Sequence, residues 1–383
     1  MKAYNEQLLK NESIHRQVKD WSAKKLISEE NAQTIRAAYP ELPYRPHWFV
    51  WVGLFFFTWI CISAGLLFLA PFISIPSAER FLPPIYGVVL YFTLNHLIKT
   101  RKLHFSGIDN VLQYACIGFF APLLFDFIVP NFDQPWAIAL LFLPLLLFFT
   151  YRYGEPLIAL GTLLTILFIV ASLAVESPLG KALLPFILMA IALLVAWALA
   201  KFRAQPKSFY WETALWVVQI AALSIVYLTG NYAVVREGNA LLNDLPDPSP
   251  EIPYAGLFWL FTFLIPLVYL GIGIRKKQLM YLIISIFFAV GSILTWVQYH
   301  PVISGPWLSV LLGGVGMGLA FFLIKYLKTE RNGFISTPEP ISETALFVGN
   351  IVATQLSSTV SDTQPDLRFG EGDFGGGGGE GSY

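Results

Sequence analysis

The sequence predicts an all-α polytopic membrane protein: a bundle of about ten transmembrane helices, a small N-terminal helical head and a disordered C-terminal tail. Three observations predict it. Of 383 residues, 56% are hydrophobic and only 13% charged, where a soluble domain carries about 25% charge. The apolar residues gather in runs of about 20, the length of helix that crosses about 30 Å of hydrocarbon. The basic residues then sort strongly to one side of those runs. The net charge of +0 says nothing by itself, because the information lies in the distribution.

Residues 1–47 read as a cytoplasmic helical pair with a proline-rich lead. The first forty-odd residues are polar and lack the apolar segment of a cleavable export signal, so insertion is expected to begin at the first span. Leu8, Ile14, Val18 and Trp21 recur near one helical face. Ser28 is placed to cap a second helix, with Glu29 and Glu30 in its first turn where the helix dipole favours acids. Ile27, Asn31, Ile35 and Ala38 form its stripe, and Pro40 stops it. The two helices are expected to pack face to face, and Pro40, Pro43 and Pro46 stiffen the approach to the membrane.

The membrane domain, 48–328, holds ten apolar runs: 48–70, 81–98, 109–129, 135–150, 155–175, 182–200, 211–230, 254–273, 279–299 and 307–327. Trp48, Trp51, Tyr151, Tyr153, Tyr210, Trp211, Tyr254, Trp296, Tyr299 and Trp307 fall near run ends, as an interfacial aromatic belt requires. With the head inside and ten crossings, 22 of the 25 basic residues lie inside. Only Arg80, Lys181 and Arg236 lie outside. That bias supports an even number of spans with both termini cytoplasmic. The chain then reads as five hairpins, each crossing outward and back. Basic turns such as "TYRYGEP" and "GIRKKQLM" join them, similar enough in composition to suggest a duplication. The long outer loop, 231–253, is expected to be stiff and extended, with one amphipathic turn at "NALLNDL" resting on the membrane.

Residues 329–358 form a linker with a short amphipathic segment, and 359–383 a disordered acidic, glycine-rich tail. Glycine has no side chain to bury and loses the most backbone freedom on ordering. Asp362, Asp366, Glu371, Asp373 and Glu380 face Arg368 alone, so the anionic inner leaflet should push the tail into the cytoplasm. Tyr383 at its tip is a candidate partner-binding residue.

Function inside a bilayer usually shows as a costly polar side chain. The candidates here are Asp126, in "LLFDFIVP" near the outer end of its run; Gln219, nearer mid-membrane; and His300, beside Gln298 at an outer end. Asp126 reads first as a carboxylate reaching water, and Gln219 as an interhelical hydrogen bond. Convergence of Asp126, Asn131, Asp133 and His300 would make a small outer polar or divalent-metal site. No His-x-x-x-His or Cys-x-x-Cys spacing supports a metal, and neither a cofactor nor a nucleic-acid partner is expected. Cys61 and Cys116 read as small packing residues. Gly313, Gly314, Gly316 and Gly318 read as a close-approach surface for another helix. No intramembrane protease pattern and no phosphate-binding loop is present.

The stretch "VKDWSAKKLISEENAQTIRAAYP" resembles the start of a family of bacterial membrane proteins of unknown function, whose members open with a short helical pair. The matching segment here is Lys25, Leu26, Ile27, Ser28, Glu29, Glu30 and Asn31, with lysine and asparagine where the family has glycine and glutamine. Phe374, Gly375 to Gly379, Gly381, Ser382 and Tyr383 are similar to the C-termini of several otherwise unrelated bacterial membrane families, which implies that the end itself is recognised. The resemblances imply no reaction. Three function classes stand: a non-enzymatic scaffold or accessory subunit in the inner membrane, with the bilayer around it and protein partners at the head or tail; a transporter or flippase; and an envelope enzyme acting on a lipid-linked substrate at the outer face.

Overall fold

A computed structural model of the chain describes residues 2–23, 26–73, 78–128 and 134–300, with isolated helical positions at 313, 314, 317, 318, 321 and 325. Every regular element among them is helical; the one strand-like contact is a bridge between Tyr44 and Leu103. Two polar helices come first, α1 (Glu6–Ala23) and α2 (Glu29–Ala38). The Ser28 side chain accepts a hydrogen bond from Asn31 N as the cap of α2. The helix ends at Ala38, ahead of Pro40.

Nine longer helices follow: α3 (Trp48–Ile73), α4 (Ala78–Arg101), α5 (Ile108–Ile128), α6 (Pro135–Tyr153), α7 (Pro156–Val175), α8 (Pro178–Arg203), α9 (Glu212–Gly230) and, after the short α10 (Tyr232–Leu242), α11 (Ala255–Lys276) and α12 (Leu279–Tyr299). They coincide with the first nine apolar runs. The tenth, 307–327, lies outside the described residues apart from the six isolated positions. Among the described residues eight helices are long and apolar enough to cross a membrane, and this is a multi-pass membrane protein. Its outer surface agrees: Phe56, Phe57, Trp59, Ile60, Leu67 and Phe68 of α3 are all more than half exposed, which only a hydrocarbon solvent or a covering protein favours.

Local chemistry sets the ends. Pro135, Pro156 and Pro178 open α6, α7 and α8 at the position where a missing N–H costs nothing. Gly154 closes α6 at φ 65°, its N–H bonded to Thr150 O at 2.9 Å. Lysines and arginines fill the last turns of α4, α6, α8 and α11, where the helix dipole is negative.

Four expectations are corrected. The most extensive pairings are α4 with α5, α6 with α7, α8 with α9, and α11 with α12, so the closest-packed neighbours meet across the basic turns. Two residues, Gly154 and Glu155, join α6 to α7, and a turn that short holds its helices side by side. The loop 231–253 is more helical than expected, because Asn231 caps α10 by accepting from Val234 N at 3.2 Å. On α1, Leu8, Leu9, Asn11 and Val18 are buried but Trp21 is exposed. On α2 only Ala32 is buried, in place of the expected stripe, because α1 is the main neighbour of this ten-residue helix.

Both cysteines are free. Cys116 is buried as a packing residue should be, whereas Cys61 is exposed. Gly313, Gly314 and Gly318 meet no neighbour within 4 Å among the described residues. One apolar core joins α3 to α7 with the residues before and within α1; a second joins α7, α8, α9, α11 and α12.

Candidate functional site

The densest buried polar chemistry lies where the N-terminal segment meets the bundle, around the turn from α4 to α5. Lys102 and Phe105 take positive φ there, and Gly107 sits at φ 88°. A Cβ on Gly107 would lie 2.5 Å from Trp51 O, so glycine is what lets α3 approach. Asp109 follows Ser106 by three residues, the spacing of a capping box. Its Oδ1 accepts from Ser106 N at 2.7 Å and Ser106 Oγ at 2.8 Å, and its Oδ2 from Phe105 N at 2.9 Å. The fourth donor is the Tyr4 hydroxyl at 2.6 Å. Asp109 is wholly buried, and four donors are what make a carboxylate tolerable there.

Tyr4 therefore pins the chain's start to the bundle. Its hydroxyl also accepts from Gln113 Nε2 at 3.2 Å. Burial and the neighbouring Asp109 push the phenol well above its ordinary value, keeping it a donor. The Ala3 N–H reaches Arg152 O at 3.0 Å, and the Tyr4 N–H reaches the Tyr210 hydroxyl at 3.3 Å. Tyr210, from the 3-10 helix Pro206–Trp211, donates in turn to Arg152 O. Lys2 Nζ lies 4.4 Å over the Trp211 ring.

A second latch comes from α1. Glu12 meets Arg45 at 3.0 Å, Arg16 at 3.6 Å and His104 Nδ1 at 3.4 Å. The His104 contact lacks hydrogen-bond alignment. Burial works against the Glu12 charge, but His104 and Arg45 outweigh it and lower its pKa to about 2. The crevice beside these residues, bounded also by Tyr210 and Glu212, measures about 40 Å³, room for a water and not for a substrate.

Deeper in, Glu155 caps α7, accepting from Ile158 N at 2.7 Å and from the Tyr114 hydroxyl at 2.6 Å. Burial raises its pKa, against those bonds. Arg152 donates to Asn95 Oδ1 at 2.6 Å, and Asn95 to the Tyr153 hydroxyl at 3.2 Å.

The residues singled out from the sequence do not form one site. Gln219 is buried and joins three helices as expected, accepting from Arg203 Nη1 at 2.6 Å and donating to the Tyr281 hydroxyl at 3.3 Å. His300 ends α12 stacked on Trp296 at 4.2 Å and edge-on to Trp259 at 5.3 Å. Asp126 belongs to α5, but its side chain lies outside the described residues, as do Asn131, Asp133 and Tyr383. Among the described residues no three metal-ligating side chains gather.

Sequence reasoning missed Asp109, Glu155 and Tyr4. The Ser106-x-x-Asp109 spacing was a signal for the first; nothing local marks the others. It also missed a buried seam at the other end of the bundle. There Asn231 Nδ2 donates to the Tyr227 hydroxyl at 3.0 Å and Thr295 Oγ1 at 2.9 Å, and Ser292 Oγ donates to Thr262 O.

Among the described residues these networks are made mostly of bonds between their own members, and the crevice beside Glu12 measures about 40 Å³. The large hollow, about 510 Å³ between α5, α6 and α7, is lined by Ala121, Pro135, Ile138, Ala139, Phe142, Leu164, Thr165 and Phe168 and carries no ionisable group among them. No family model, curated protein or solved structure matches the chain.

Proposed function

We propose that this chain is a non-enzymatic scaffold or accessory subunit of a bacterial inner membrane, in the unknown-function family that its N-terminus resembles. It spans ten times with both termini cytoplasmic. The observation that carries the reading is the contrast between its two polar regions. Among the described residues most interior polar groups bond one another, with Gln113 Oε1 and His104 Nδ1 among the exceptions, while the latched N-terminal segment turns Trp21, Leu26, Tyr39 and Leu42 outward, 36% to 68% exposed. Large apolar side chains on a polar element outside the spans suit a protein partner. The acidic, glycine-rich tail ending at Tyr383 is the second partner-binding end, because its composition matches the tails that several bacterial membrane families share.

Purification in native nanodiscs tests this. A stoichiometric partner should be recovered, and lost on combining Trp21→Ala with Leu26→Ala or on deleting Gly381 to Tyr383, while the bundle stays monodisperse. A chain that purifies alone and moves solute across vesicles would sink the proposal. Reporter fusions at Asn239 and at the C-terminus test the topology: the first should report outside and the second inside.

A further inference from the structure

Helix α10 is amphipathic in the reverse sense for a helix resting on a protein surface. Its two charged residues, Arg236 and Glu237, are both turned into bonds with their own neighbourhood. Arg236 Nε donates to Ser249 O at 2.9 Å and Nη1 to the Tyr232 hydroxyl at 2.8 Å, and its guanidinium lies 4.8 Å over the Tyr299 ring. Glu237 accepts from the Tyr299 hydroxyl at 2.6 Å and from Ser249 Oγ. Tyr232 and Ala240 are buried on that side. The opposite arc, Val234, Gly238, Leu241 and Leu242, recurs at i, i+4, i+7 and i+8 and holds no charge. Leu241 is 81% exposed, and nothing lies within 4 Å of the position a Gly238 Cβ would take. Leu245 and Tyr254 extend the apolar exposure beyond the helix.

The register of α10 against its neighbours says what faces that arc. Its first residue, Tyr232, donates its N–H to Thr262 Oγ1 at 2.9 Å. Thr262 lies seven residues inside α11, about 10 Å along the helix from Ala255. The preceding Asn231 bonds Thr295, a full turn before the end of α12. Tyr232 stacks on Trp259 at 4.4 Å, and Trp259 meets Trp296 at 5.4 Å. Tryptophan and tyrosine at the ends of spanning helices mark the boundary between headgroups and acyl chains. So α10 starts at that boundary and not above it.

We propose that α10 is an interfacial helix, its Val234–Gly238–Leu241–Leu242 face sunk in the lipid surface at the end of the bundle far from α1. The occupant is the bilayer itself, at the depth reached by amphipathic interfacial helices. The Arg236–Ser249–Glu237 clasp then holds the loop 243–253 over the helix from the bundle side.

The test places an environment-sensitive fluorophore at Leu241→Cys, with Asp247→Cys as the loop control, in full-length protein carrying Cys61→Ser and Cys116→Ser. The protein is reconstituted into vesicles with and without spin-labelled lipid and opened to iodide. The 241 probe should be blue-shifted, quenched by lipid labelled near the headgroup and shielded from iodide, and the 247 probe the reverse. Iodide quenching at 241 equal to that at 247 overturns the proposal. Shielding from both quenchers overturns it too, because a protein surface then covers the face. In the chain with its native cysteines, a photo-crosslinking amino acid in place of Leu241 gives an independent reading: adducts to lipid support the proposal, and adducts to protein refute it.

Discussion

Replacing Tyr4 with phenylalanine removes one oxygen and leaves the ring. The ring's edge contact with His104, at 4.9 Å, and with Tyr153, at 6.2 Å, should survive. Two hydrogen bonds are lost, one donated to Asp109 Oδ2 at 2.6 Å and one accepted from Gln113 Nε2 at 3.2 Å. A bond to a charged acceptor contributes about 1.5–3 kcal/mol, and a stranded buried donor costs about 1–3 kcal/mol more. Gln113 Oε1 already lacks a hydrogen-bond partner, so the amide would be stranded at both atoms. Asp109 keeps its three donors from the α4–α5 turn, which caps the loss at about 2–4 kcal/mol. At about 1.4 kcal/mol per factor of ten, undocking of the N-terminal segment should rise about 100-fold. The reporters are the Ala3 and Tyr4 amides, bonded to Arg152 O and the Tyr210 hydroxyl. Hydrogen exchange in nanodiscs should show their protection falling by that factor, while amides in α9 hold. Unchanged protection at Ala3 and Tyr4 would refute the view that this hydroxyl latches the chain's start.

Other perturbations test the remaining contacts. The folded Glu12 pKa, about 2, lies below its ordinary 4.5, so its contribution is present above 4.5 and disappears as pH falls toward 2. Glu12→Gln should therefore lower the thermal midpoint at neutral pH, by up to about 3 kcal/mol of stability, and match the wild type in acid; a gap independent of pH would contradict the ion-pair account. Gln219→Leu strips partners from Arg203 and Tyr281, and interhelical bonds in membranes contribute about 0.6 kcal/mol each and at most about 1.7. A loss of about 1–2 kcal/mol in detergent unfolding is expected, and total misfolding would mean the residue does more than bridge helices. Gly107→Ala meets both a positive φ and a Cβ 2.5 Å from Trp51 O, so it should cost at least about 1–3 kcal/mol; a neutral melting curve would argue against the close approach of α3 to that turn.

The long helices were legible because the property that selects them is one-dimensional. A bilayer of fixed thickness reads length and apolarity along the chain, and the nine long helices, α10 aside, begin and end within a few residues of the runs. The cap and stop of α2 were legible for the same reason: Ser28 and Pro40 act on backbone within a turn of themselves. Gln219 was recognised as a bridge because an amide in hydrocarbon must find a partner, although the sequence could not say that Arg203 and Tyr281 were waiting.

What stayed hidden depends on which surfaces meet. Asp109 looks like an acid at the mouth of an apolar run, and only a tyrosine 105 residues earlier turns it into a buried anchor. Glu155 looks like part of a solvated basic turn until Tyr114 arrives from α5. The pairing of helices across the basic turns, and the inward-facing charges of α10, also follow from neighbours and not from periodicity. By itself the sequence marked nine apolar runs that fold as long helices and placed most of their ends to within a few residues, since desolvation of a continuous backbone is a local cost. Tertiary structure decided which polar groups are buried and with whom, since a carboxylate can leave water only where several donors, drawn from distant parts of the chain, converge on it.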